Sequence, residues 1–185
     1  VGNVTFQRKH ILGLGIAALV FILDQLIKWL MTGPLQLQAI RQIVILPFFN
    51  LTWTENYGVS LGLLTADSNA MRWGLVALTG AIAVFVAVWL LREKKLGDIT
   101  ALALVLGGAL GNIVDRGTAG YVIDYADLHF GEWRPFLIFN LADAAITIGV
   151  LIILARSFLS REKPEPEQAQ IDPAQIDPAN SASES

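Results

Sequence analysis

Met71-Arg-Trp-Gly-Leu-Val-Ala-Leu-Thr-Gly-Ala-Ile-Ala-Val-Phe-Val-Ala-Val-Trp-Leu-Leu91 is the stretch whose reading decides the fold. From Trp73 to Leu91 it holds no charged residue and no proline. A helix needs ~20 apolar residues to cross a hydrocarbon core ~30 Å thick, so this segment reads as a transmembrane helix. Working outward, three more stretches approach that length: about Ile11 to Met31, Gly97 to Val114 and Phe136 to Phe158. The expected fold is mainly α and polytopic, with four transmembrane helices. Composition agrees, since 54% of the 185 residues are hydrophobic and only 16% are charged. A mean hydropathy of +0.55 is too apolar for an ordinary soluble domain.

The net charge of −3 misleads, because Glu162, Glu165, Glu167, Asp172, Asp177 and Glu184 all fall in the last stretch. Without them the body is slightly basic, and nucleic acid is not implied. The chain has no cysteine and only His10 and His129, with no H-E-x-x-H. That excludes thiolate catalysis and makes a histidine-based metal centre unexpected; no metal or cofactor is expected. Arg8-Lys9-His10 before an apolar run resembles a leader peptide, but Asp24 and Lys28 interrupt the run and no A-x-A-like site ends it. It reads as a retained first span, and a start at Val1 instead of Met suggests processing or a trimmed boundary.

Arg8, Lys9, Arg92, Lys94, Lys95, Arg156, Arg161 and Lys163 fall on one side of the four spans, which the positive-inside rule makes cytoplasmic. Arg41, Arg72, Arg116 and Arg134 fall on the other, and Trp29, Trp73 and Trp89 sit at span ends. Two segments then face outward, about 32–70 and 115–135. In the first, Gln42-Ile-Val-Ile-Leu46 and Phe48-Phe-Asn-Leu-Thr-Trp53 flank Pro47 and predict two short strands joined by a turn. The second reads as a loop rich in acids, aromatics and glycine, where chemistry is expected. Residues 1–160 form one membrane domain. Residues 161–185, with Pro164, Pro166 and a near-repeat of Ala-Gln-Ile-Asp-Pro, read as a disordered cytoplasmic tail.

The polar residues inside the spans carry the functional argument. Asp143 is placed by these boundaries about two turns inside the last span, where an acid costs ~2.5–3.5 kcal/mol on insertion scales. Asn140 and Thr147 share its face, so the stripe is either catalytic or a hydrogen-bonded joint between helices. Asn112, Asp115 and Arg116 share a face at the outer end of the third span, preceded by Gly107, Gly108 and Gly111, whose small size lets a neighbouring helix approach. Asp115, Asp124 and Asp127 are all candidate partners for Asp143. Asp115 also reads as an ion-pair or helix-end group beside Arg116, and Asp127 as a solvated acid. Asp124 is modestly favoured, because Val122, Ile123 and Tyr125 make an apolar setting that raises a carboxyl pKa. Asp24 and Lys28, four apart on the first span, read as a structural ion pair. Asn56 in Asn-Tyr-Gly58 reads alone as a turn, and His129 as a loop or interface residue. Two carboxylates sharing one proton can hydrolyse an amide without metal or nucleophilic side chain, one taking a proton from water while the other donates.

The chain resembles the lipoprotein signal peptidase (signal peptidase II) family over nearly its whole length before the tail. The resemblance rests on Asp24-Gln-Leu-Ile-Lys28, Asn56-Tyr-Gly58, Gly107-Gly-Ala-Leu-Gly-Asn112-Ile-Val-Asp115-Arg116, Val122-Ile-Asp124-Tyr and Phe139-Asn140-Leu-Ala-Asp143, in that order. It implies a bacterial inner-membrane aspartic peptidase with four transmembrane helices, both termini cytoplasmic, and a small extracytoplasmic β-platform. It implies Asp124 and Asp143 as the catalytic pair near the outer surface. Asn56, Gly58, Asn112, Arg116 and Asn140 are implied to surround the pair and to bind substrate or globomycin-like inhibitors. The implied substrate is a diacylglyceryl-modified prolipoprotein, cut N-terminal to its lipidated cysteine, with membrane lipids around a monomeric enzyme. After Gly58 the family commonly continues Ala-Ala/Ser-Phe, whereas Val59-Ser60-Leu61 stands here and keeps an apolar wall. The alternative from another class is a small proton- or ion-coupled transporter. It would distribute acids through the membrane depth and carry an internal repeat, and neither is evident. An assembly factor would need no acid pair, and the G-x-G-D element of presenilin-type proteases is absent.

Overall fold

The computed structural model describes residues 7–58 and 69–159. Four long helices match the four expected spans: α1 Arg8–Thr32, α3 Asn69–Arg92, α4 Leu96–Thr118 and α5 Leu141–Leu159. Each is long and apolar enough to cross a membrane. A short helix, α2 Leu37–Ile40, and three strands, β1 Gln42–Leu46, β2 Phe49–Asn56 and β3 Val122–Leu128, complete the described elements. In hydrocarbon, backbone N–H and C=O groups find no water, so helices that satisfy their own backbone are the natural spanning form. Their side chains turn apolar surface outward, with Leu19, Ile22, Val84, Phe85, Leu151 and Leu154 all exposed.

Helix α4 is the hub, packed against α1, α3 and α5. Half of its apolar span is buried within the protein, against 17–22% of the others. Its small residues make this possible. A Cβ on Gly107 would lie 2.5 Å from the carbonyl oxygen of Ala17 in α1, and one on Gly108 would strike the carbonyl oxygen of Ala142 in α5 and come within 2.9 Å of Ile146. The glycines expected to admit a close neighbour thus admit two, on opposite sides of one helix. A core of Ala17, Val86, Leu90, Ile99, Leu102 and Leu106 fills the space between α1, α3 and α4.

At one end of the bundle, His10 Nε2 lies 3.0 Å from the Glu93 carbonyl, Lys9 donates to the Lys94 carbonyl, and Arg156 pairs with Asp98 at 2.5 Å. At the other end stands the sheet. The expected hairpin forms as β1 and β2, antiparallel from Gln42 opposite Thr52 to Leu46 opposite Phe49. The third strand was not expected, because residues 115–135 read as a loop. Instead α4 continues through Thr118 and β3 then pairs antiparallel with β2, Thr54 opposite Asp124 and Asn56 opposite Val122. Two residues of β2, Thr52 and Trp53, oppose one of β3, Tyr125, between Leu51 and Thr54, a bulge that bends the sheet. Met31, Leu37, Trp53, Tyr125 and Ala126 form a second core that seats the sheet on the top of α1. Arg72 fastens the outer end of α4, donating to the Arg116 and Gly117 carbonyls at 2.7 and 2.5 Å. These are orphan acceptors at a helix C-terminus, where a cation is favoured.

The last span is shorter than its hydropathy suggested. Helix α5 begins at Leu141, not near Phe136, so Asp143 sits in its first turn and not two turns deep. Asn140 is the reason. Its side-chain Oδ1 accepts the backbone N–H of Asp143 at 2.9 Å, and a carboxylate oxygen of Asp143 accepts the backbone N–H of Asn140 at 3.3 Å. This reciprocal pair is a capping box written with Asn and Asp. Residues 136–138 belong to no helix or strand, and Phe139 is bridged antiparallel to Ala126.

Candidate active site

The first N–H groups of α5 are claimed by side chains from β3, from α1 and from the cap residue Asn140. Leu141 N–H donates to the Tyr125 hydroxyl of β3 at 3.1 Å. Ala142 N–H donates to Asp24 of α1 at 3.1 Å, and Asp143 N–H to Asn140. A helix N-terminus carries partial positive charge, so the acids gathered there are stabilised while they fix where the helix begins.

Asn140 is wholly buried and joins the two acids. Its amide donates to Asp124 at 2.7 Å and to Asn112 Oδ1 at 3.2 Å, while its main chain meets Asp143 as above. Asn112 in turn donates to the other oxygen of Asp143 at 2.9 Å. The second oxygen of Asp124 accepts from Asn56 at 3.0 Å. Asn56 Oδ1 accepts the Gly58 N–H at 2.9 Å, so the end of β2 closes as an Asx turn with Gly58 at a φ of +84°. The turn reading of Asn56 therefore stands, but its amide reaches an acid as well.

The other acids are occupied elsewhere. Asp115 and Asp24 bracket Lys28 at 2.7 and 2.8 Å, all three buried. The expected Asp24–Lys28 pair is present, and Asp115 joins it instead of pairing with Arg116. Gln25, which the sequence reading passed over although it lies within the Asp24-to-Lys28 motif, donates to Asp115 at 3.1 Å and to Asp24 at 3.2 Å. Asp115 also accepts the Ile123 N–H at 3.2 Å, tying β3 to α4. Lys28 further donates to Asn112 Oδ1 at 3.3 Å. Asp127 is not solvated as expected: it is 1% exposed, accepting from Thr52 and Arg134, each at 3.1 Å. Alternation along β3 turns it to the face opposite Asp124, where a structural ion pair satisfies it. Of the three candidate partners, Asp124 alone is linked to Asp143 through a single residue, Asn140, whereas Asp115 reaches it only through Lys28 and Asn112.

Electrostatics sharpen the distinction. Burial, reinforced by repulsion from Asp143, pushes the Asp124 carboxyl up to about 6, while the hydrogen bonds from Asn56 and Asn140 act against that rise. Burial also pushes the neighbouring Tyr125 phenol up to about 12, so it stays neutral. The positive charge of Arg116 acts on Asp143, Asp124 and Asp115, and its Nε is buried without a hydrogen-bond partner among the described residues. A Cβ on Gly58 would stand 3.6 Å from its guanidinium. No cluster that could hold a metal ion occurs among the described residues. The arrangement is two carboxylates, one with a raised pKa, held by amides on all sides at one end of a membrane bundle.

The family model for signal peptidase (SPase) II matches residues 16–159. The chain belongs to the signal peptidase II family. It is 57% identical over 151 residues to a lipoprotein signal peptidase of Sphingopyxis alaskensis, covering 82% of this chain and 87% of that one. It is 55% identical over 157 residues to one from Rhizorhabdus wittichii, covering 85% and 91%, and 34% identical over 171 residues to one from Acinetobacter baumannii, covering 91% and 96%. Two solved structures of a bacterial membrane enzyme, at 2.3 and 1.9 Å resolution, superpose with a TM-score of 0.68 each. They are 28% and 29% identical and cover 84% and 82% of this chain and 94% of each of theirs. Membership makes the chain a membrane peptidase of the aspartic type, and the transporter alternative finds no support. The departure at Val59-Ser60-Leu61 and the tail at 161–185 lie outside the described residues.

Proposed function

We propose that this peptidase removes signal peptides from diacylglyceryl-modified prolipoproteins, cutting N-terminal to the lipidated cysteine, with Asp124 and Asp143 as its catalytic pair. The observation that carries the pair is Asn140, one buried residue whose side chain and main chain together bind both carboxylates. Asp124, with its raised pKa, holds the shared proton, and Asp143 takes the proton of the attacking water. Water oxygen bonds to the scissile carbonyl carbon as Asp124 donates to the carbonyl oxygen. In the collapse that follows, the proton on Asp143 passes to the leaving nitrogen and the C–N bond breaks. The signal peptide leaves with a new carboxyl terminus and the lipidated cysteine with a free amine. Asp124 recovers its proton from the gem-diol, so the pair ends as it began.

The remaining residues of the cluster support this chemistry. Asn112 and Asn140 hold the carboxylates in orientation, and Asn56 and Gly58 form the rim on the β2 side. The unpartnered Nε of Arg116 offers a donor to a substrate carbonyl. We place the site at the outer surface of the bacterial inner membrane with both termini cytoplasmic. The supporting feature is that Arg8, Lys9, Arg92, Lys94, Lys95 and Arg156 gather at the end of the bundle opposite the sheet. Purified protein in bilayers, given one prolipoprotein with and without its diacylglyceryl group, is expected to cut the modified form alone and leave the lipidated cysteine N-terminal by mass spectrometry. Equal cutting of both forms, or of neither, would contradict the reading.

A further inference from the structure

The outer half of α5 carries a groove that touches the catalytic cluster and opens to the side of the bundle. Its floor is Asp143, Ala144, Thr147 and Ile148, and its roof is the segment before the helix at Phe136, Leu137 and Phe139. Residues 143, 144, 147 and 148 share one helical face. The groove encloses about 300 Å³. Away from Asp143, the Thr147 hydroxyl is its only side-chain polar group among the described residues. It opens at the surface of the bundle, where Leu137 is 85%, Phe136 61% and Ile148 51% exposed.

We propose that this groove receives an acyl chain of the lipid-modified cysteine, laid along α5 from the catalytic carboxylate toward the bilayer core. The proposal rests on the prolipoprotein reading above and adds where the lipid sits. Three features favour an acyl chain as occupant. The cavity begins at the carboxylate that would attack next to the lipidated residue, so a chain on that residue has a short path into it. From Asp143 to Ile148 the floor spans about 7.5 Å of helix rise, enough for the first part of a chain whose remainder continues into lipid. Finally, the lining suits a hydrocarbon chain better than an unwound stretch of signal peptide. An unwound peptide there would find almost no partner for its N–H and C=O groups, whereas a hydrocarbon chain needs none.

The test uses two synthetic substrates that differ only in the acyl chains on the cysteine, hexadecanoyl or butanoyl. The readout is the ratio of their kcat/KM values with the full chain in bilayer nanodiscs. Wild type is expected to favour the long chain by at least about ten-fold, and Ala144→Leu and Thr147→Leu, which fill the groove, to bring the ratio towards one. An unchanged ratio in both active variants overturns the groove. Inertness of wild type toward both substrates overturns the peptidase reading and this proposal with it. A measurement that needs no groove substitution runs beside it. A diazirine on the hexadecanoyl chain, bound to Asp124→Asn protein and photolysed, is expected to label peptides containing 136–137 and 144–148. Labelling confined to α1 or α3, or labelling of 144–148 by a diazirine in the signal peptide instead, contradicts the proposal.

Discussion

At the residue scale, the two acids were legible by different routes, and one route proved wrong in detail. Asp143 attracted notice because an acid two turns inside a span is expensive; in fact it lies in the first turn, where the helix N-terminus and the Asn140 cap stabilise it. The signal for its true position, Asn140-x-x-Asp143 after Pro135, was in the sequence as a cap, but the hydropathy of Phe136 to Phe139 masked it. Asp127 was misread because nothing along the chain reveals Thr52, which reaches it only through the pairing of β2 with β3. The raised carboxyl of Asp124 yields a pH prediction. A general acid with a pKa of about 6 is lost by ionisation above that value, so kcat/KM should fall as pH rises through about 6. The Asn56 amide stabilises the charged form, so removing it raises the pKa further. Asn56→Ala should therefore move the alkaline fall to higher pH, whatever it does to the maximal rate. A shift to lower pH would exclude Asp124 as the acid.

At the element scale, α4 sets the geometry by approaching two neighbours at once. Its glycine pattern, read from sequence as a packing surface, was sound, although the identity of the neighbours required the fold. Adding bulk at Gly108 must push α5 away at Ala142, the residue before Asp143. Gly108→Leu should destabilise by about 1–3 kcal/mol and lower kcat, whereas Gly80→Leu, where nothing stands within 4 Å, should do neither. Thermal unfolding in detergent and initial-rate kinetics read both. The hairpin of β1 and β2 was visible in its turn around Pro47 and the apolar runs beside it. Strand β3 was not, because it pairs with a partner some 70 residues earlier and its buried acids look like loop composition.

At the scale of the whole molecule, four spans, one polar end cluster and one small sheet form a frame that delivers side chains from α1, α4, α5, β2 and β3 to a single point. Hydropathy made the spans legible, while the convergence became visible only when Asp24, Asn56, Asn112, Tyr125 and Asn140 were found in contact with the two acids or with the start of the helix bearing one. The topology has its own test, helped by the absence of native cysteine. Glu93→Cys and Gly131→Cys should lie on opposite sides of the membrane, with an impermeant thiol reagent added to intact cells labelling position 131 and sparing 93. The reverse pattern would invert the proposed orientation.

The central claim is the pairing of Asp124 with Asp143, and cleavage of a lipidated prolipoprotein by single variants tests it most directly. Asp124→Asn and Asp143→Asn should each lose activity by about a thousand-fold or more, as removal of a positioned acid or base requires, while the folded protein persists in detergent. Asp127→Asn, on the far face of the same strand, should stay within about ten-fold of wild type. Near-wild-type cleavage by either Asp124→Asn or Asp143→Asn would contradict the account.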